Sequence, residues 1–155
     1  MLVHRKKNDI KLADFGVACK IPETGKMSVV CGSLGYFAPE VMMKHPYTEL
    51  VDMFSLGVVC YAVLAGFQPF YGETDREIIK ANLEVEYDFE NDPWGFVSDQ
   101  GNPSLIFLSP TINFTFHLLL AKDFITKLLE RKPEDRLSAK EALTHPWLQP
   151  KFSSN

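Results

Sequence analysis

The chain carries a carboxylate, several hydroxyls and an arginine in settings that suggest chemistry rather than packing. Asp14 opens Asp14-Phe15-Gly16 directly after an apolar run. Thr24, Ser28 and Ser33 follow on a polar stretch, Ser33 inside Gly32-Ser33-Leu34-Gly35-Tyr36. Ala38-Pro39-Glu40 closes that stretch, Asp52 lies beyond it, and Arg136 stands near the far end of the chain. Carboxylates can hold a cation, and hydroxyls and a guanidinium can carry or pair with phosphate. The residues from Val17 to Glu40 include Pro, Gly, Thr and Ser without sustained periodicity, so they form a long loop. Long loops inside compact domains are usually functional.

The elements that must hold this loop are mostly helices. Asn8-Asp9 reads as a tight turn between two short extended runs, Leu2-Val3 and Ile10–Ala13, which would put Asp14 at a strand end facing a cleft. From Leu50 to Ala65 the chain is apolar almost all round, as in a helix buried at a domain's centre. Thr48 is its candidate N-cap and Gly66 its stop. Thr74-Asp75-Arg76-Glu77 is a capping box for a helix to about Leu83, and Ser138-Ala139-Lys140-Glu141 opens a short helix ending near Thr144. Phe124, Ile125, Leu128 and Leu129 give helical spacing over Ala121–Glu130.

Composition narrows the class. With 155 residues and 46% hydrophobic content, the chain is long and apolar enough to build a core. A net charge of −4 offers no global basic excess for nucleic acid or an anionic membrane. The short run His4-Arg5-Lys6-Lys7 reads as a solvated turn. Cys19, Cys31 and Cys60 are odd in number and form no CxxC, and the four histidines lack metal-ligand spacing. Reduced thiols in a cytoplasmic or nuclear protein are expected, and Met1-Leu2-Val3 followed by charge shows no signal peptide.

Taken in order, Asp14-Phe15-Gly16, Ala38-Pro39-Glu40 after a loop of suitable length, Asp52–Gly57 opening a buried helix, and Arg136 before the last helix resemble the C-terminal lobe of a protein kinase. The resemblance covers nearly the whole chain. Gly66-Phe67-Gln68-Pro69-Phe70 and Ala142–Trp147 look most like the calcium/calmodulin-regulated and calcium-dependent group. It implies a mainly α fold, the helical lobe of an α+β kinase, with a partial domain over 1–148, an activation segment over 14–40, a helical lobe over 48–148 and a short tail over 149–155. It also implies ATP and Mg²⁺ in the full-length parent, a protein or peptide substrate, and calmodulin or calcium-binding hands outside this chain.

Carried over residue by residue, Asp14 matches the metal-binding aspartate, with Phe15 packed beneath the cleft and Gly16 letting the backbone turn. Ser33 matches the hydroxyl that marks serine/threonine kinases, and Leu34, Gly35 and Tyr36 would shape the pocket for the residue after the acceptor. Glu40 and Arg136 match a buried ion pair tying the activation segment to the lobe. Asp52 matches a helix aspartate accepting hydrogen bonds from the catalytic-loop backbone; the aromatic after it is usually Trp and here is Phe54. Thr24 and Ser28 lie where activation-loop phosphorylation occurs. The acids Glu73, Asp75 and Glu77 fit a solvated helix start, with basic-peptide recognition as the alternative.

The motifs for a phosphate-covering Gly-rich loop, a strand lysine and a catalytic loop do not occur in 1–155, and the base aspartate is expected upstream of Met1. The isolated chain is therefore expected to be inactive. A non-catalytic, pseudokinase-like binding module is the alternative. Gly101–Leu120 is a further departure. Val97–Gln100 looks like a helix start and Ala121 onward like its body, yet a segment without acid, lysine or arginine intervenes. A membrane-dipping stretch is disfavoured by Pro103, Pro110, Asn113 and His117, and a surface loop is the second reading. The preferred reading is translation of a pyrimidine-rich stretch, as at the end of a retained intron. Its run Leu105–Phe116 would be an aggregation liability if exposed.

Overall fold

The computed structural model describes residues 2–4, 9–90 and 110–149, with side chains over 11–90 and 116–149. Two short antiparallel strands, β1 (Leu2–His4) and β2 (Asp9–Lys11), open it, with Val3 opposite Ile10 and His4 opposite Asp9. Asp9 therefore pairs within β2, where the sequence placed it in the turn. From Pro39 onward the named elements among the described residues are helices: α1 (Pro39–Met42), α2 (Leu50–Ala65), α3 (Asp75–Glu84), α4 (Pro110–Leu128) and α5 (Ala139–Ala142). Short 3-10 turns stand at Leu34–Tyr36, Pro133–Asp135 and Pro146–Leu148.

The core is built on α2 crossing α4. Phe54, Val58 and Tyr61 from α2 bury against Leu118, Ile125 and Leu129, with Phe70 stacked on Phe54 at 5.8 Å. Each such side chain contributes on the order of 1.5–3 kcal/mol by leaving water. The helices approach this closely because residue 57 is glycine. A Cβ there would lie 2.8 Å from Leu129 Cδ2 and 2.9 Å from Leu128 Cβ. A second cluster joins Met53, Phe124, Leu128 and Ala142, against which Trp147 packs.

The helix ends follow local chemistry. Gly66 stops α2 at φ 84°, and its N–H reaches the Ala62 carbonyl. The Thr74–Glu77 and Ser138–Glu141 capping boxes both form. At the start of α2, Glu49 takes the cap position, while Thr48 Oγ1 accepts from the Leu50 N–H at 3.3 Å.

The surface-loop reading does not hold for residues 110–120, which form the first half of α4, continuous with its body. Leu118 is buried and continues the spacing through Ala121, Ile125 and Leu128. Pro110 suits a first turn, whose N–H groups have no intrahelical partner. The helix start read at 97–100, and the segment 101–109, lie outside the described residues. Among the described residues no helix is long and apolar enough to cross a membrane.

Candidate functional site

Asp14 lies three residues beyond β2, at φ 67°. That left-handed backbone is uncommon outside glycine, and Asp is among the residues that tolerate it. Its Oδ1 accepts a 3.3 Å hydrogen bond from the Gly16 N–H, which holds the turn and leaves Oδ2 exposed. Phe15 is 68% exposed.

The other end of the segment is locked. Arg136 Nη1 meets Glu40 Oε1 at 2.8 Å and Arg136 Nη2 meets Glu40 Oε2 at 3.1 Å, a bidentate pair between positions 96 residues apart. The arginine side chain is fully buried and the glutamate side chain 7% exposed. Arg136 also donates to the Leu50 carbonyl at 2.8 Å and the Glu130 carbonyl at 3.1 Å. Its guanidinium stacks 5.1 Å over the Phe54 ring. An arginine with every face engaged fixes three elements at once: α1, the start of α2 and the end of α4.

Between these ends, Leu34–Tyr36 makes a single 3-10 turn with Gly35 buried at φ 59°. A Cβ at Gly35 would meet Gln68 Oε1 at 3.0 Å. Gln68 Nε2 donates to the Tyr36 hydroxyl at 3.0 Å, and Ser55 Oγ donates to the Tyr36 carbonyl at 2.7 Å. The turn is thus clamped by α2 and by the loop after it. Ser33 sits exposed at its head, with no side-chain cap bond. This puts Ser33, Leu34, Gly35 and Tyr36 on one rigid feature.

The catalytic-loop backbone that the resemblance gives Asp52 as a partner is expected upstream of Met1. Asp52 itself is exposed on the first turn of α2, and no described residue donates to its carboxylate. There it complements the helix dipole and lines a groove of about 410 Å³ between α2 and residues 17–31. Thr24 and Ser28 are exposed, Thr24 Oγ1 lying 3.4 Å from the Lys26 carbonyl.

Sequence reasoning missed Tyr47. Its backbone pairs with Met27 in a two-bond bridge, 2.8 and 2.9 Å, and its hydroxyl donates to the Val29 carbonyl. Burial raises the Tyr47 phenol above its usual pKa, with Cys31, Cys19 and Asp52 adding to the shift. Nothing in a lone tyrosine after His45-Pro46 signals a partner twenty residues back. The buried His145 was also missed as a network member. Its Nδ1 accepts from the Trp147 N–H at 3.2 Å, so Nε2 carries the proton toward Asp123 Oδ2 at 2.9 Å.

Magnesium binds through one or two carboxylates plus substrate phosphates and water. The exposed Asp14 Oδ2 fits as one such ligand. Among the described residues no group of three His, Cys, Asp or Glu side chains could hold a metal.

Comparisons with known proteins identify the family. The protein kinase domain family matches residues 1–148. Myosin light chain kinase A of Dictyostelium discoideum is 38% identical over 157 residues, covering 100% of this chain and 46% of that protein. A probable myosin light chain kinase of the same organism is 38% identical over 144 residues, 92% of this chain and 31% of its own. Calcium/calmodulin-dependent protein kinase type 1 of Caenorhabditis elegans is 35% identical over 150 residues, 96% of this chain and 37% of its own. The chain thus spans less than half the length of these relatives. The last of these relatives is, by its name, a calcium/calmodulin-dependent kinase. With a match running from the paired strands to the Trp147 turn, and a Glu40–Arg136 lock anchoring the segment that begins at Asp14, this chain belongs to the protein kinase domain family.

Proposed function

We propose that this chain is the helical lobe of a serine/threonine protein kinase whose parent transfers phosphoryl groups to proteins or peptides. The observation that carries the reading is the activation segment held between an exposed Asp14 carboxylate and the buried Glu40–Arg136 pair. Magnesium-ATP, bound in the parent, would supply the phosphoryl group and neutralise its charge. The chain's own residues do the positioning. Asp14 offers an oxygen to the metal, with Phe15 and Gly16 shaping the turn behind it. Ser33 presents its hydroxyl beside the acceptor. Leu34, Gly35 and Tyr36 seat the neighbouring substrate residue on a turn that α2 keeps from moving. Thr24 and Ser28 are exposed enough to take regulatory phosphate, which acts by pairing with arginine.

Calcium/calmodulin control belongs to the same reading and rests on the name of the calcium/calmodulin-dependent relative, with the responsible segments outside 1–155. Cytoplasmic or nuclear residence rests on cysteines that build no disulfide framework. The alternative reading is a non-catalytic binding module, against which the retained Asp14 carboxylate counts. The transcript separates them. If the message upstream of Met1 encodes a catalytic-loop His-Arg-Asp and lacks the codons for 101–120, the parent should phosphorylate serine or threonine peptides, and Asp14→Asn should abolish that. A message that starts at Met1 and keeps the segment, with no phosphoryl transfer by purified 1–155, overturns the kinase proposal in favour of the module.

A further inference from the structure

Two of the three cysteines stand on opposite limbs of one loop and face one groove. Cys19 lies on the outgoing limb and Cys31 on the returning limb, and both thiols are exposed. Val17, Ile21, Val29 and Val51 form apolar walls of the groove, with Glu49 and Asp52 on its α2 side. Met27 lies between the limbs, its Sδ 3.3 Å from Cys19 Sγ. The returning limb is held by the Met27–Tyr47 bridge and the Tyr47–Val29 bond, so Cys31 stays near this face. Cys19, Cys31 and Tyr47 all line this one groove. The outgoing limb has few such restraints, and Gly25 and Gly32, at φ 69° and 125°, can turn without a steric cost.

We propose that Cys19 and Cys31 are a peroxide-sensitive thiol pair that closes to an intramolecular disulfide across the activation segment. The Cys19 sulfur, as thiolate, attacks hydrogen peroxide; the O–O bond breaks, hydroxide leaves and a sulfenic acid remains. The Cys31 sulfur then attacks that sulfur, the S–O bond breaks and the oxygen departs as water. Two thiols and one peroxide become one disulfide and two waters. The disulfide shortens the segment between Asp14 and the Ser33–Tyr36 turn, giving that segment a redox-dependent length. Cys60 is the internal control. It is half-buried, and burial pushes its thiol up to about 11 from the usual 9.0, cutting its thiolate fraction at neutral pH about hundredfold.

The test is peroxide treatment of the full 1–155 chain, alkylation and a non-reducing tryptic map. Trypsin cuts after Lys11, Lys20, Lys26 and Lys44, so the pair appears as the 12–20 peptide joined to the 27–44 peptide. The expected result is this cross-link as the dominant disulfide of a monomer. It should be lost on reduction and absent in Cys19→Ser and Cys31→Ser. It should persist in Cys60→Ser, with the far-ultraviolet circular dichroism of all three variants unchanged. Separate sulfenic or sulfinic acids on an uncross-linked monomer would overturn the proposal. So would disulfides to Cys60, bonds between molecules, or no reaction.

Discussion

Removing the charge from Glu40 or from Arg136 should have unequal costs, and the inequality follows from the bond list. The two groups touch at 2.8 and 3.1 Å, so their charge centres lie about 4 Å apart, worth about 4 kcal/mol at an effective dielectric near 20. That agrees with the on-the-order-of 3–5 kcal/mol cost of orphaning one member of a buried pair. Glu40→Gln leaves the guanidinium its two carbonyls and the Phe54 face, so it should cost about 3 kcal/mol, the lower end of that range. Arg136→Met strands the Glu40 carboxylate and also the Leu50 and Glu130 carbonyls, each unsatisfied acceptor adding about 1 kcal/mol or more. It should therefore be the worse variant. The double variant, with no buried charge left, should lose clearly less than the sum of the singles. Urea unfolding of the full chain, followed by tryptophan fluorescence, measures all three, with the slope unchanged if the folds persist. Single-variant losses under about 1 kcal/mol, or simple additivity, would refute the reasoning and show that the pair behaves as a solvated one.

Two further outcomes follow from the same structure. Gly57→Ala gains helix propensity but forces a methyl group within 3 Å of two leucines; it should be net destabilising by about 1–3 kcal/mol, read as a lower thermal midpoint. Asp123 should sharpen acid sensitivity. Burial opposes its ionisation, but hydrogen bonds from Lys127 and His145 outweigh that and hold the carboxyl below its usual 3.8. A carboxyl depressed on folding contributes stability fully above 3.8 and loses it as pH falls through the folded value. Denaturation midpoints across that range should therefore fall less steeply in Asp123→Asn than in the parent chain.

Local signals in the sequence carried to the structure where neighbours a few residues apart decide the outcome. The all-round apolar run made α2, Gly66 ended it, and two capping boxes formed as spelled. The ion pair between Glu40 and Arg136 was legible only through resemblance, since no local rule joins positions 96 residues apart. The helical start of α4 was not legible, because a charge-free stretch with two prolines reads as a loop or a foreign segment. Its helical spacing shows only when Leu118 is set against the far side of α2. The partner that resemblance gives Asp52 is expected upstream of Met1, and no described residue supplies it. Tyr47 and the Phe54 platform under Arg136 left no trace in spacing, because each role depends on what folding brings alongside.

The Met27–Tyr47 bridge also partitions the chain's tolerance for change in length. By closing residues 28–46 into a ring with two backbone hydrogen bonds, it isolates the turn at Ser33–Tyr36 and the Glu40 lock from whatever lies outside. The tip at Thr24-Gly25 hangs beyond that closure, solvent-exposed and made of residues suited to turns. Loop-closure entropy grows only slowly with length, so residues added at the tip enlarge the outer excursion at small cost. The inner ring keeps its register. The segment can therefore diversify at Thr24-Gly25 without redrawing the surface at residues 33–36.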